Sequence, residues 1–395
     1  MKYCIINKEN FYDLFLYLAL FFLVPISYIE EVCDKCSLIP LFRVGVCLVI
    51  IILLIRKRKL SFFLILSAFF CGFLVLSTFF NHGDYIGAIY GQFFFSISIC
   101  CFFYYVYLQR GSNFLKILYN YYLFLIVINL ITIIVFPNGL YMDVRETQST
   151  NFFMGNYNAF ITKILPALCI GYHLLVETKI SHKNYFFLWL LVFLTYLKLH
   201  SITSIFGLAL YAIFLCTFNK KACKVFLNPL IYIISAGTAL YFVVFNRSSQ
   251  IYELVTRFTG KDITFSGRTI LWDKVLNSIS KSIFIGFGVH TEDSLISYFE
   301  LNYAGHSHNL ALQVLFQTGI LGSMFWLLII LCTAYNLWKN LNDKVARSYG
   351  CAFFSFLIMS IFDFYGYASI LPFFLIINFY CNNRKKGNQG ISINA

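Results

Sequence analysis

The sequence predicts an all-α, polytopic integral membrane protein with about twelve transmembrane helices and one long external loop. Of its 395 residues, 60% are hydrophobic and only 12% are charged, and the mean hydropathy is +0.76. These values exclude a soluble globular domain, in which charged residues are about twice as common. Apolar runs of about 16 to 24 residues recur along the chain, which is the length that crosses a bilayer as a helix.

The apolar runs divide the chain into nine N-terminal spans, a long loop and three C-terminal spans. We predict spans at residues 11–29, 38–55, 60–80, 85–108, 114–136, 152–176, 185–200, 203–218, 225–245, 310–338, 349–364 and 367–381. Residues 1–245 therefore hold nine spans, residues 246–308 form the long external loop, and residues 309–395 hold three spans and a cytoplasmic tail. Because no internal repeat divides the chain, these parts form one membrane domain.

Lysine and arginine cluster in alternate short loops, which sets the predicted orientation. The basic loops contain Arg56 to Lys59, Arg110, Lys179 with Lys183, Lys220 to Lys224, Lys339 to Arg347, and Arg384 to Lys386. Cytoplasmic loops of membrane proteins carry an excess of basic residues, so these loops and both termini are expected in the cytoplasm. The formal charge of +13 reflects this orientation signal, and we expect no nucleic-acid partner.

Most of the 13 cysteines lie inside apolar runs, where a free thiol behaves as a small hydrophobic residue. One pair differs, because Cys33 and Cys36 are spaced as C-x-x-C in the first external loop. A zinc site would need a second such pair. Cys33 and Cys36 are therefore expected to form a local disulfide or to remain two free thiols.

The long external loop combines helical patterns with arginines. We expect a short helix over residues 249–258 and an amphipathic helix over residues 269–282, suited to the bilayer surface or to the top of the bundle. The apolar face of the second consists of Ile270, Leu271, Val275, Leu276 and Ile279. Arginine binds phosphate oxygens bidentately and keeps its charge, so Arg257 and Arg268, with Arg145 from another external loop, are candidates for a phosphate site. The alternative is incidental charge, because long loops translocate regardless of it.

His308 is the strongest candidate for chemistry in the sequence. It stands with His306 and Asn309 where the long loop meets the apolar run 310–338. A neutral imidazole at this boundary can take a proton from a hydroxyl group, and a charged one can bind phosphate. The alternative is a helix-mouth histidine that is bonded only to backbone.

Asp363 is a reserve candidate at the outer end of the run 349–364. An unpaired acid is costly to bury in a membrane, so a partner is expected for it. The buried cations Arg43 and Lys163 are candidates for that partner.

Further motifs accompany His308 along the chain. They are His308-Asn309 followed by Gly319 and Gly322, Ser-Gly-Arg-Thr-Ile-Leu-Trp at 266–272, Ile-Gly-Phe-Gly at 285–288, and Gly-Asn-Tyr-Asn at 155–158. In order and spacing they resemble the motifs of bacterial O-antigen ligases and polymerases, and with the twelve-span layout the resemblance covers most of the chain. The chain departs from the pattern in two places. Nine residues, not ten, separate Arg145 from Gly155, and the segment 201–204 lacks an arginine that many relatives carry.

The resemblance implies a metal-independent membrane glycosyltransferase fold that uses no cofactor. The implied substrate is an undecaprenyl-pyrophosphate-linked oligosaccharide, handled in membrane lipid at the periplasmic face of the bacterial inner membrane. A chain-length regulator protein is a further candidate partner. The implied catalytic residues are His308, Arg268 and Arg257, and the implied substrate-binding residues are Arg145, Asn309, His306 and Asn158.

The resemblance favours a polymerase and leaves two alternatives. Polymerases transfer the growing glycan onto a new lipid-linked repeat unit, whereas ligases transfer the finished glycan to lipid A core. Residues 309–322 look more like the polymerase version. A transporter of lipid-linked sugars would need inverted repeats and buried charges near the membrane midplane, whereas the ionisable residues here crowd the external face.

Overall fold

The computed structural model describes residues 8–24, 26–33, 38–142, 150–199, 201–217, 228–241, 268–302 and 304–391. Within these ranges the α-helices are Lys8–Leu23 (α1), Ser27–Cys33 (α2), Leu38–Arg56 (α3), Phe62–Phe80 (α4), Phe95–Arg110 (α5), Ser112–Val135 (α6), Ile161–Val176 (α7), His182–Lys198 (α8), Ile202–Thr217 (α9), Pro229–Leu240 (α10), Arg268–Lys281 (α11), Glu292–Phe299 (α12), Leu310–Trp338 (α13), Lys344–Met359 (α14) and Tyr367–Ile391 (α15). A π-helical segment, Gly87–Phe94, runs directly into α5. The chain is therefore an all-α protein, as predicted.

Every predicted apolar run contains a helix, but the prediction of twelve spans is not confirmed. Within the described part of the chain, five helices are long and apolar enough to cross a membrane: α3, α4, the continuous Gly87–Arg110, α6 and α13. Shorter apolar helices cover Tyr12–Leu23, Ile161–Val176, Ile202–Thr217 and Pro229–Leu240. By length and composition the chain is a multi-pass membrane protein, whose remaining helices are shorter or more polar than a complete span.

The start of the sixth predicted span is wrong. A small antiparallel sheet of Tyr141–Met142 (β1), Thr150–Phe152 (β2) and Gly155–Asn156 (β3) takes up its first residues, with Tyr141 opposite Asn151 and Phe152 opposite Gly155. Gly155 has a φ of +105°, which only glycine adopts readily, so a helix cannot run through it. Helix α7 therefore begins at Ile161, and the 155–158 motif lies in the turn before it.

Other predicted boundaries also move. The first span ends at Leu23, and the short helix α2 replaces its last residues. The eleventh span shifts from 349–364 to Lys344–Met359, which leaves Asp363 in the loop between α14 and α15.

Helix α13 packs along α4 and α15. At their common contact the ring of Phe70 in α4 lies 5.0 Å from Trp326 of α13 and 5.0 Å from Tyr367 of α15, between ring centroids. All three side chains are buried. Because α13 begins directly after His308, this packing fixes the position of the helix mouth.

Asp363 does not pair with the cations proposed for it. Arg43 forms an ion pair with Glu30 at 3.0 Å, and its guanidinium lies over the ring of Phe95. Lys163 is buried in α7 and makes no ion pair with Asp363. Sequence position alone could not choose among these partners, because they lie on different helices.

Several predictions fall outside the described residues. They concern Cys36 of the Cys33–Cys36 pair, the helix over 249–258, Arg145 and Arg257. These remain predictions.

Candidate active site

Helix α11 forms hydrogen bonds with both loops that make up the site. Arg268 and Trp272 lie one turn apart on the same face of this helix. The indole nitrogen of the fully buried Trp272 donates to the carbonyl oxygen of Ser307 at 2.9 Å, and Arg268 Nη1 donates to the carbonyl oxygen of Phe362. The Gly-Arg and Trp motif therefore joins the 305–309 turn to the loop between α14 and α15.

The apolar face of α11 packs on the bundle. Leu271, Val275 and Ile279 are buried, as predicted, and Trp272 joins them, whereas Ile270 is 49% exposed. They form a separate small core whose other members include Leu295, Phe299, Leu312, Phe316 and Ile361. Of the two predicted positions for this helix, the structure therefore shows the one that caps the bundle.

The 305–309 turn is held by a local network of hydrogen bonds. The Ser307 backbone amide donates to Gln313 Oε1 at 2.8 Å, and Ser307 Oγ donates to the carbonyl oxygen of Asn309 at 2.8 Å. His308 has a φ of +47°, a left-handed conformation that side chains rarely adopt outside functional sites. The turn therefore holds the imidazole of His308 in a defined direction.

Asn309 is the N-cap of α13 and is fully buried. Its Oδ1 accepts from the Leu312 amide at 3.0 Å, and its Nδ2 donates to the carbonyl oxygen of Ile361 at 2.9 Å. A cap of this kind satisfies a helix donor that would otherwise lack a partner. The side chain thus starts the helix and ties it to the loop that carries Asp363.

His308 and Asp363 form a pair at the mouth of α13. His308 Nδ1 lies 3.4 Å from Asp363 Oδ1, and Asp363 is 5% exposed. The rings of His306 and His308 lie 4.0 Å apart, and the backbone amide of His308 donates to His306 Nδ1 at 3.1 Å. Two of the predicted residues, and the reserve acid, therefore meet in one cluster beside Arg268.

The charges of this cluster are set by burial and by each other. Burial, and after it the neighbouring His308, lower the pKa of His306 to about 3, so that His306 is neutral in the physiological range. Burial alone would raise the pKa of Asp363, but the hydrogen bond with His308 and the charge of Arg268 lower it to about 2. Asp363 is therefore a carboxylate and His306 a neutral acceptor.

The glycines of the motifs allow two backbone segments to meet. The segment 283–288 lies against a break in α13 at Gly319, whose φ is +58° and ψ −165°. Phe287 N donates to Phe316 O at 2.7 Å, and Ile320 N donates to Ile283 O at 2.8 Å. A Cβ on Gly286 would overlap the backbone of Thr318 and Gly319. The motifs at 285–288 and 319–322 are therefore two halves of one contact.

The end of α4 locks this contact in place. Ser77 Oγ lies 2.7 Å from the carbonyl oxygens of both Ile285 and Gln317. Asn81 Nδ2 donates to the Gly286 carbonyl at 2.9 Å. Three parts of the chain that are distant in sequence are thus held together at the break in α13.

Replacing Gly286 with alanine should destabilise the protein by about 2–4 kcal/mol, because the new methyl group meets fixed backbone and φ is +80° there. The unfolding temperature of the purified protein in detergent measures this. Gly45→Ala is the control, because nothing lies within 4 Å of a Cβ at Gly45 in helix α3. Equal unfolding temperatures for the two variants would contradict the close approach.

Asn158 takes part in a separate polar contact, with the segment 201–204. Its Oδ1 accepts from Ser201 Oγ at 2.6 Å, and Ser201 in turn lies 2.9 Å from Ser204. The segment 201–204 therefore contacts the 155–158 motif without an arginine. The buried hydroxyl of Tyr365 has no hydrogen-bond partner among the residues that the structure describes, and burial and then the charge of Asp363 raise its pKa well above the ordinary value.

His306, His308 and Asp363 are also the group of described residues that could hold a metal ion. Their ligand atoms all lie within 4.8 Å of one another. Two histidines and a carboxylate are a donor set that divalent transition metals accept. However, His306 Nδ1 accepts from a backbone amide and His308 Nδ1 faces Asp363, so both Nδ1 atoms already have partners within the protein.

Sequence reasoning placed His308, His306 and Arg268 at the site and gave Asp363 only a reserve position. It missed the anchoring function of Trp272, although this residue was part of the motif. A single acid at the end of an apolar run was the available signal for Asp363. Arg145 and Arg257 are not among the described residues.

Comparison with known proteins gives one match. Residues 184–327 match the sequence family described as O-antigen ligase, a little over a third of the chain. No curated protein and no solved structure matches the chain. The matched segment runs from α8 into α13 and contains Arg268, Trp272, the glycine contact and His308. Over residues 184–327, the chain is therefore similar to the O-antigen ligase family.

Proposed function

We propose that the protein is an O-antigen polymerase of the bacterial inner membrane. It transfers the growing glycan from undecaprenyl pyrophosphate onto a new lipid-linked repeat unit at the periplasmic face. The observation that carries this proposal is the His308–Asp363 pair beside Arg268 at the mouth of α13. Arg268 and His308 lie inside the segment that matches the O-antigen ligase family, and Asp363 lies beyond its end.

The chemistry is a glycosyl transfer between two lipid-linked sugars. A hydroxyl oxygen of the acceptor sugar forms a bond to the anomeric carbon of the donor glycan, and the bond from that carbon to the pyrophosphate oxygen breaks. The acceptor proton passes to a base, and the pyrophosphate leaves with the bonding electrons. The reaction therefore needs a base on one side and positive charge on the other.

His308 suits the base. Asp363 accepts the hydrogen bond from Nδ1 of His308, and Nε2 is the ring nitrogen that we propose takes the proton of the acceptor hydroxyl. The long 3.4 Å distance is compatible with this function, because catalytic hydrogen bonds often shorten when substrate binds. The carboxylate of Asp363 then stabilises the imidazolium that forms.

Arg268 suits the leaving group. One nitrogen holds the Phe362 carbonyl, and the remaining guanidinium donors are available to phosphate oxygens. Arg257 and Arg145 are proposed to bind the same pyrophosphate from the external loops. We assign His306 and Asn309 to positioning of His308, and Asn158 and Tyr365 to contacts with sugar hydroxyl groups.

A ligase is the second candidate, because the matched family is described as O-antigen ligase. Deleting the gene and separating the surface polysaccharide on a gel distinguishes the two. Loss of a polymerase leaves lipid A core with a single repeat unit. Loss of a ligase leaves bare core while long lipid-linked chains accumulate. Normal chains after deletion would contradict both, and loss of all lipid-linked sugar from the periplasmic face would indicate a transporter.

The transfer should not require a metal ion, because Arg268 can stabilise the departing pyrophosphate. We expect the purified protein to extend lipid-linked repeat units at an unchanged rate after treatment with a chelator. A loss of rate that zinc or manganese restores would contradict this and indicate that His306, His308 and Asp363 bind metal. In that case His306→Asn should abolish the restoration.

A further inference from the structure

A cavity lies at the other end of the bundle from the candidate active site. It has a volume of about 1040 Å³ and lies between the first turn of α4 and the ends of α5, α13 and α15. Asn336, near the C-terminus of α13, lines it, whereas His308 precedes the N-terminus of that helix. At 1.5 Å per residue these two points are roughly 40 Å apart, so this cavity is distinct from the site at His308.

The mouth of this cavity is positively charged. Arg58 and Lys59 are its charged lining residues in the described part of the chain, and neither forms an ion pair with a described residue. Their backbone is fixed, because Arg58 N donates to Ile55 O at 2.9 Å and Lys59 N to Leu54 O at 3.0 Å. The first turn of α4, which contains no acid, also lines the cavity and adds the positive end of a helix dipole.

The wall of the cavity carries two buried amides, and its side is open to lipid. Asn336 Nδ2 donates to Asn378 Oδ1 at 2.7 Å, and both amides are buried on the cavity wall. Leu328, Leu331 and Tyr335 of α13 line the same cavity and are exposed on the bundle surface. An amphiphile can therefore enter from the bilayer with its polar group directed inward.

An apolar groove adjoins the cavity at Leu60, which lines both. The groove has a volume of about 590 Å³ and follows one face of α4. Its residues on that face, four apart, are Leu60, Leu64, Ala68, Gly72 and Leu76. The stripe is about 24 Å long at 1.5 Å per residue, which exceeds the ~15 Å depth of one leaflet's hydrocarbon.

We propose that the cavity and groove together bind an anionic phospholipid of the cytoplasmic leaflet. The phosphate lies against Arg58 and Lys59, the glycerol region faces the asparagines, and one acyl chain follows the groove along α4. Basic pockets at the cytoplasmic ends of transmembrane helices are suited to anionic head groups. A phospholipid has both a negative charge, which the basic mouth attracts, and an apolar chain, which fits the groove. A soluble anion would interact only with the basic mouth.

Native mass spectrometry of the full-length protein in detergent tests this proposal with phosphatidylglycerol and phosphatidylcholine of equal chain length. The wild type should retain phosphatidylglycerol in preference. The double variant Arg58→Gln, Lys59→Gln should bind it roughly 30-fold more weakly, because each basic residue near the surface contributes about a fivefold gain. Arg56→Gln, Lys57→Gln is the control, since it removes the same charge from residues that do not line the cavity.

Three results would overturn the proposal. They are equal weakening in both double variants, equal retention of the two lipids by the wild type, and displacement of phosphatidylglycerol by glycerol phosphate at matched concentration. Gly72→Leu provides a second variant, since a Cβ at Gly72 meets only Phe93 at 3.9 Å while a larger side chain fills the groove. Gly72→Leu should weaken the binding of both lipids without changing the preference between them. Unchanged binding would contradict the proposed position of the acyl chain in the groove. Lipid retention is measured without glycan, so the result is independent of the proposed transferase activity.

Discussion

Replacing His308 with asparagine should reduce glycan extension roughly 10²- to 10⁴-fold, which is the usual contribution of a general base. Asparagine tolerates the left-handed backbone that His308 adopts at φ +47°, so the turn should keep its shape. It cannot take a proton from a sugar hydroxyl at neutral pH. The rate of polymer formation by purified protein in liposomes, supplied with lipid-linked repeat units, measures the effect.

The neighbouring histidine provides the matched control. His306 lies 4.0 Å away between ring centroids, and burial keeps it neutral with a pKa of about 3. Asparagine at position 306 can still accept from the His308 amide, so His306→Asn should retain most of the rate. A wild-type rate in His308→Asn, or equal losses in both variants with unchanged unfolding temperatures, would show that His308 is not the base.

Replacing Asp363 with asparagine should lower the rate by roughly 10²-fold or more, because the charge that orients and stabilises the imidazole of His308 is lost. Asparagine has nearly the same shape as aspartate. In the wild type Asp363 Oδ1 accepts from the Phe364 amide at 2.9 Å, and the Oδ1 of asparagine can keep that hydrogen bond. The pKa of Asp363 is about 2, so the wild-type carboxylate is ionised across the neutral range. The rate of polymer formation measures the loss, and protonation of Asp363 itself should contribute no pH dependence to the wild-type rate between about pH 6 and 8.

Asp84→Asn is the control for the loss of an external acid. Asp84 Oδ1 accepts from the Gly87 amide at 2.9 Å, and asparagine can keep that bond, but Asp84 does not contact His308. Its replacement should leave the rate unchanged. If Asp363→Asn behaves like Asp84→Asn while the protein remains folded, Asp363 has no function in the transfer.

Local pattern located the helices well and their boundaries less well. Apolar runs can be read directly from the local sequence, and every predicted run contains a helix. The run that starts at residue 152 was too long because the apolar residues Phe152 to Met154 belong to the sheet region, and only the pairing of β2 with β1 and β3 distinguishes this region from helix. Likewise, Ile270 belongs to the helical pattern of α11 but is exposed, because the helix packs through Leu271 and Trp272.

The sequence by itself determined that this is an all-α membrane protein and that His308 stands at the mouth of a long apolar helix. The order and spacing of the motifs also placed Arg268 and the glycines near His308. A close contact between two backbone segments requires glycine, whichever segment lies opposite. Only the tertiary structure decided that His308, not a cation from another helix, is the partner of Asp363, and that Asn309 and Trp272 anchor the two loops. Those contacts join residues 35 to 55 positions apart, and the packing of α11, α13 and α14 that brings them together is not encoded in any local pattern.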